Sequence, residues 1–234
     1  MADLPLHWAK ADIVFKAIAS IAIPVSLALV GHAFNAQQEQ AAANLLKMER
    51  VEKMLSHLTS ANDRERLLSM RVISFLAKQQ QFPPELVEVM IGVARGDPAP
   101  DVSSSALETL ATIAGNDTTS APSMQAQQAL KTLPRVLHIH IADETQREAA
   151  LRAREQAKAQ GYVVPSIVMV GPEYLPHQTQ LRFFHTEDKD DAYKLVGALS
   201  GTAAVSLKDF TKERSAGRAF PRSLELWMAG PKKD

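Results

Sequence analysis

Apolar positions along this chain recur with two periods, and the change falls at Pro134. Upstream they return every three or four residues, as in amphipathic helices; downstream they alternate, as in half-buried strands. Cap-type residues Ser60, Asn62 and Asp63 open a helix with apolar positions at Leu67, Leu68, Val72, Ile73, Phe75 and Leu76. The stretch "FPPELVEVMIGVARG" restarts after a double proline and stops at Gly96. The stretch "DPAPDVSSSALETLATIAG" repeats that grammar, with Asp101 as cap candidate and Ala106, Leu107, Leu110 and Ile113 as the apolar set. A loop-like "NDTTSAPSMQ" and a short helix, "MQAQQALKTL", lead to Pro134.

Past Pro134, "RVLHIHIA" places Val136, His138 and His140 on one side and Leu137, Ile139 and Ile141 on the other. A helix, "DETQREAALRAREQAKAQG", ends at Gly161, and "YVVPSIVMVG" is a strand that Pro165 confines to an edge or a bulge. The third strand, "QTQLRFFHT", sets Leu181 and Phe183 against Arg182 and Phe184. An acid-started helix, "EDKDDAYKLVGALSG", follows. The segment "AAVSLKDF" is a candidate short strand, and "RSLELWMA" closes the chain with Leu224, Leu226 and Met228 opposite Glu225 and Trp227. The order β-α-β-β-α-β is the ferredoxin-like pattern, with both helices on one sheet face. The aliphatic side packs on the helices, and the other face collects His138, His140, Arg182, Phe184, Glu225 and Trp227.

The other end of the chain carries no Asp, Glu, Lys or Arg from Ala17 to Gln38, and its apolar part, Ala17 to Phe34, is 18 residues. At about 1.5 Å per residue that spans roughly 27 Å, one hydrocarbon core. A signal peptide would need small residues at its cut, and "GHAFNAQQ" offers no A-x-A pattern. The expectation is a retained transmembrane helix. Lys10 and Lys16 on its near flank favour a cytoplasmic N-terminus and an exported body. A helical stalk follows, with Leu45, Met48, Val51, Met54, Leu55 and Leu58 at helical spacing. It suits self-association as a short coiled coil or packing on the next helices. The expected layout is α+β: tail and anchor at 1–36, stalk at 37–59, helical region at 60–133 and α+β domain at 134–234. The expected location is the bacterial inner membrane, single-pass.

Charge and composition narrow the function classes. Twenty-six basic residues balance 26 acidic ones, so no global field draws the protein to nucleic acid. The chain has no cysteine, which excludes disulfides, thiolate metal sites and cysteine nucleophiles. The segment "FTKERSAGRAFPR" clusters Lys212, Arg214, Arg218 and Arg222 in a local basic loop.

Three chemistries compete for the polar sheet face. An H-x-H strand can chelate a metal, but His185 points to the helix side and no third ligand converges. General acid–base work by a histidine lacks an accompanying nucleophile, phosphate loop or carboxylate pair. Recognition needs only what is there: aromatics, a guanidinium and imidazoles on an open sheet. The expectation is therefore a ligand- or partner-binding face made of His138, His140, Arg182, Phe184, Glu225 and Trp227, with no catalytic residues, metal or cofactor.

The segment "DPAPDVSSSALETLATIAG" and its neighbours resemble HEAT-like or armadillo-like helical repeats, which implies an interaction surface. A plain three- or four-helix bundle accounts for the same pattern. "RVLHIHIADETQREAALRAREQAKAQGYVVP" with "LRFFHTEDKDDAYKLVGAL" resembles the LytR-type C-terminal domain and, more distantly, the SPOR domain. That resemblance implies an envelope-linked, non-enzymatic domain, in some members binding peptidoglycan glycans on the open sheet. The functional expectation is a membrane-anchored scaffold that recognises a partner protein or cell-wall glycan. The alternatives are a His-dependent, metal-assisted enzyme and a membrane-tethered cytoplasmic sensor of a nucleotide or RNA.

Overall fold

A computed structural model describes residues 45, 46, 48–200, 204–213 and 219–230. The chain divides into two units, 1–52 and 53–234. In the first, residues 45, 46 and 48–52 are helical. The second begins with helix α1, residues 53–58, whose Met54 and Leu58 join the core of the helices that follow.

Those helices are α2 (Asp63–Lys78), α3 (Val87–Gly96), α4 (Pro100–Gly115) and α5 (Ala121–Leu130). Local rules set their ends. The Asn62 side chain accepts from the Arg64 N–H at 3.0 Å, and prolines sit in the first turns of α4 and α5. Helix α4 is the hub: α2, α3 and α5 all pack on it. Its buried set runs around most of its circumference, from Val102 and Ala106 to Leu110 and Ile113, and takes in Ser103, Ser104 and Thr109. The small hydroxyl residues make this possible, because Ser103 donates to the Val93 and Asp97 carbonyls and Thr109 to Ser105 O.

A buried ion pair locks α2 to the α3–α4 turn. The Arg66 side chain, 9% exposed, sends Nε and Nη2 to the two oxygens of Asp97, each at 3.0 Å, and Nη1 to the Ser60 carbonyl at 2.8 Å. Asp97 also accepts from the Ala99 N–H at 2.8 Å. At the other end of α2, Asn116 Nδ2 donates to the Ala77 carbonyl at 2.8 Å.

The remaining elements are β1 (Arg135–Ile141), α6 (Arg147–Ala159), β2 (Tyr162–Val163), β3 (Val168–Met169), β4 (Gln180–Phe183), α7 (Lys189–Leu199), β5 (Ser206–Asp209) and β6 (Ser223–Trp227). The sheet order is β2-β1-β6-β4-β5, with β3 also on β1. This corrects the ferredoxin-like expectation, in which each βαβ pair is split by another strand. Here β1 lies directly beside β2 and β3, and β4 beside β5, all in parallel. Strand β6 runs between the two pairs, parallel to β1 and antiparallel to β4. Pro165 has no N–H to give, and it divides the edge. Val136 pairs Val163 and His140 pairs Val168, so the edge strand carries one residue more than β1 between those points.

Helices α6 and α7 cover one sheet face. Ala150, Ala153 and Ala157 let α6 lie close on Leu137, Ile139 and Ile141, while α7 contributes Ala192, Leu195 and Leu199. The helical region packs on the other face at one end, since Val136, Val163 and Phe220 belong to its core. Asp101 on α4 fixes that contact, accepting from the Ser166 N–H at 2.7 Å and its hydroxyl at 2.5 Å.

The membrane expectation is overturned. Among the described residues no helix is long and apolar enough to cross a membrane. The two longest, α2 and α4, have 16 residues each, short of the roughly 20 that a hydrocarbon core requires. The single-pass, inner-membrane placement with an exported body falls with that finding. The stretch 17–38 on which it rested lies outside the described residues.

Arg66→Ala leaves Asp97 buried without its cation and should destabilise the protein by about 3 kcal/mol. Urea unfolding of the two proteins at pH 7 measures this; a loss under about 0.5 kcal/mol would show that the pair holds nothing in place.

Candidate functional site

Strand register assembles the polar face. His140 lies opposite Trp227, and Trp227 opposite Gln180; one pair further along, His138 lies opposite Glu225, and Glu225 opposite Arg182. Cross-strand neighbours on one face come within side-chain contact, so this register gathers five of the six predicted residues, while Phe184 lies past the end of β4. The His140 imidazole stacks on the Trp227 indole, centroids 4.3 Å apart and planes 25° from parallel. From the strand on the other side of β6, the Arg182 guanidinium lies 4.2 Å from the Trp227 ring centre. The indole is thus sandwiched between an imidazole and a guanidinium.

The rest of the face locks this ladder. Trp227 Nε1 donates to Glu225 Oε2 at 2.7 Å. Arg182 donates through Nε and Nη2 to Gln180 Oε1, at 3.3 and 3.2 Å, and its guanidinium also lies 5.0 Å from the Phe210 ring. Phe210 in turn contacts Phe184, which is buried. His138 turns its ring edge-on to Phe220, 6.2 Å away. Phe210 and Phe220 come from the basic loop, whose Arg214 and Arg218 lie outside the described residues.

Burial sets the protonation of the face. It pulls His140 down to about 4, helped by the neighbouring His138 and Arg182, and both its ring nitrogens are buried without a hydrogen-bond partner. Burial lowers His138 too, partly offset by Asp101. Glu225 is pushed up by burial against the opposing Trp227 bond and Arg182. The two histidines are therefore neutral at pH 7. They do not converge on one point: His138 is committed to Phe220 and His140 to Trp227. Among the described residues no three His, Asp or Glu side chains are grouped to hold a metal ion.

Two further features were not legible from strand parity. The first is a groove of about 480 Å³ walled by Leu67, Arg71 and Phe75 of α2, with Glu108 of α4, Val168 of β3 and His138 among its lining. Beside it, Leu68, Val72 and Phe75 stand 61%, 54% and 60% exposed, at i, i+4 and i+7. The sequence pattern merged these with the core positions of α2; in the structure Met70, Ile73 and Ala77 face the core. The second is a polar cluster at the opposite ends of β1 and β6. There Asp188, fully buried, accepts from the Arg222 N–H at 2.9 Å and lies 4.0 Å from Arg135 Nε. Burial pushes Asp188 up to about 6.

His140 gives the ladder a pH signature. Its pKa falls from 6.5 in the unfolded chain to about 4 when folded. Its stabilising contribution is therefore complete above pH 6.5 and lost as pH falls through 4. The loss should be about 1–2 kcal/mol once the ring's partial exposure is allowed for. His140→Phe keeps a flat ring against Trp227 and removes the proton. Urea midpoints between pH 7 and 4 should fall less in this variant than in the wild type; parallel curves would show that His140 does not titrate as described. Asp188 contributes in the opposite sense between 4 and 6, but equally in both proteins.

No family model matches the chain, and neither a curated protein nor a solved structure matches it.

Proposed function

We propose that the protein works by binding a partner protein, and that the partner docks on the outer face of α2 and the adjoining groove. The observation that carries this is the second apolar stripe of α2. A helix that packs on one core needs one stripe, and Met70, Ile73 and Ala77 supply it. Leu68, Val72 and Phe75 form another, exposed by more than half. Large apolar side chains left in water on one helix face mark an interaction site, and each is worth about 1.5–3 kcal/mol when fully covered. Spacing at i, i+4 and i+7 suits an amphipathic helix laid along α2.

The sheet face serves this reading as a rigid backing more than as the contact itself. A sugar or a base stacks on an aromatic face, and both faces of Trp227 already carry His140 and Arg182. That weighs against glycan or nucleotide recognition by stacking. Closed ring nitrogens on His140 leave no path for proton transfer to a substrate, which favours binding over histidine catalysis. The resemblance of residues 135–228 to LytR-type domains, non-enzymatic by implication, is consistent with this.

A photo-crosslinking residue placed at Val72 tests the proposal in cells. A discrete adduct should form there and disappear when Leu68→Glu and Phe75→Glu are added. Both changes lie on exposed positions, so folding should be unaffected. A probe at Glu148 on α6 is the control; equal crosslinking at Val72 and Glu148 would refute the docking face.

A further inference from the structure

Between the end of α5, the start of β2 and the first turns of α7 lies a cleft of about 320 Å³. Its lining includes four cationic side chains, Lys131, Arg135, Lys194 and Arg222, against one carboxylate, Asp191. That carboxylate is already committed: Arg135 Nη2 pairs with it, and Lys194 Nζ lies 3.5 Å from its other oxygen. Lys131 has no ion-pair partner among the described residues, and Arg222 Nε is buried without a hydrogen-bond partner. Asp188, buried behind the cleft, lies 4.0 Å from Arg135 Nε, so four cations still stand against two carboxylates.

Arg222 shows that its placement matters. Its backbone is held at φ 69°, a left-handed conformation that glycine adopts at far lower cost. Three bonds fix it there: its N–H to Asp188 Oδ2, its carbonyl accepting from the Val136 N–H at 3.1 Å, and its Nη2 donating to the Leu133 carbonyl at 2.5 Å. Glycine would make the turn and both main-chain bonds. What only arginine supplies is the guanidinium, which holds the Leu133 carbonyl through Nη2 and stands at the wall of the cleft. Tyr162 adds a neutral donor: burial pushes its phenol up to about 12, and its hydroxyl makes only a long 3.4 Å bond to the Asp191 carbonyl.

We propose that this cleft is an oxyanion site for phosphate or a small phosphate monoester, with Arg222 as anchor and Lys131 and Tyr162 as further donors. A guanidinium presents paired N–H groups that match two phosphate oxygens, and a lysine adds a point charge. At about 320 Å³ the cleft has room for more than a bare ion. The site lies apart from the α2 docking face and does not depend on it.

The test is calorimetric titration of the full chain with inorganic phosphate at constant ionic strength. Wild type should bind one equivalent saturably. Arg222→Gly relaxes the backbone and retains the N–H that Asp188 accepts. Lys131→Ala changes an exposed side chain. Each should weaken binding at least ~10-fold, while Lys78→Ala on α2 leaves it unchanged. Should Arg222→Gly not fold by circular dichroism, Arg222→Lys takes its place, keeping the charge and losing the fork, with a similar loss expected. Absence of saturable phosphate binding in the wild type overturns the proposal. So does binding that survives the substitutions at both Arg222 and Lys131, or that Lys78→Ala weakens equally.

Discussion

Helix α4 must be buried on nearly every side, and the described structure follows from that constraint. Covering it takes α2, α3 and α5 together, and one end of the sheet as well. Once α2 is committed to α4 through Met70, Ile73 and Ala77, its rotation is fixed. The Arg66–Asp97 pair then fixes its height at one end and Asn116 at the other. With rotation and height set, α2 has no freedom left to hide Leu68, Val72 and Phe75. The exposed stripe is a consequence of satisfying α4, which is why it remains in water in the isolated chain.

The same logic separates the two polar regions of the α+β half. On the sheet face, cross-strand register brings the rings and the guanidinium into contact with one another, although both His140 ring nitrogens are left without a hydrogen-bond partner. Imidazole, indole and guanidinium form a closed stack, with Glu225 and Gln180 as its polar ends. At the other ends of β1 and β6 the accounting does not close. Two arginines and two lysines meet three carboxylates, half-buried Asp191, buried Asp188 and exposed Glu187, and Arg222 Nε is left without a hydrogen-bond partner. The first region is the richer in aromatics, yet surplus unsatisfied charge is the better pointer to a ligand.

Strand alternation was readable because it depends on neighbours two residues apart. The parity of Leu137, Ile139, Leu181, Leu224 and Leu226 holds, and so does the shared face of His138, His140, Arg182, Glu225 and Trp227. The placement of β6 between β1 and β4 was not readable, since register between strands some 90 residues apart leaves no local trace. Nor was the division of α2 into two stripes: Leu68 and Ile73 are alike as residues, and only the position of α4 tells them apart. Asp101 was expected as a helix cap and instead reaches Ser166, 65 residues away. Arg66 gave no signal, because long-range polar pairing has no period; Arg222 was visible only as part of a basic loop, with nothing to show its bonds to Asp188, Val136 and Leu133.

The proposed docking face requires that α2 be covered when the protein is at work. Phe75 and Tyr193 are matched aromatic reporters, 60% and 59% exposed, on α2 and α7. Hydroxyl-radical footprinting inside cells and on the purified chain compares them directly. Phe75 should be oxidised several-fold less in cells than in isolation while Tyr193 is unchanged. Equal oxidation of Phe75 in both settings would mean that its face stays open to water, and would contradict the proposed docking.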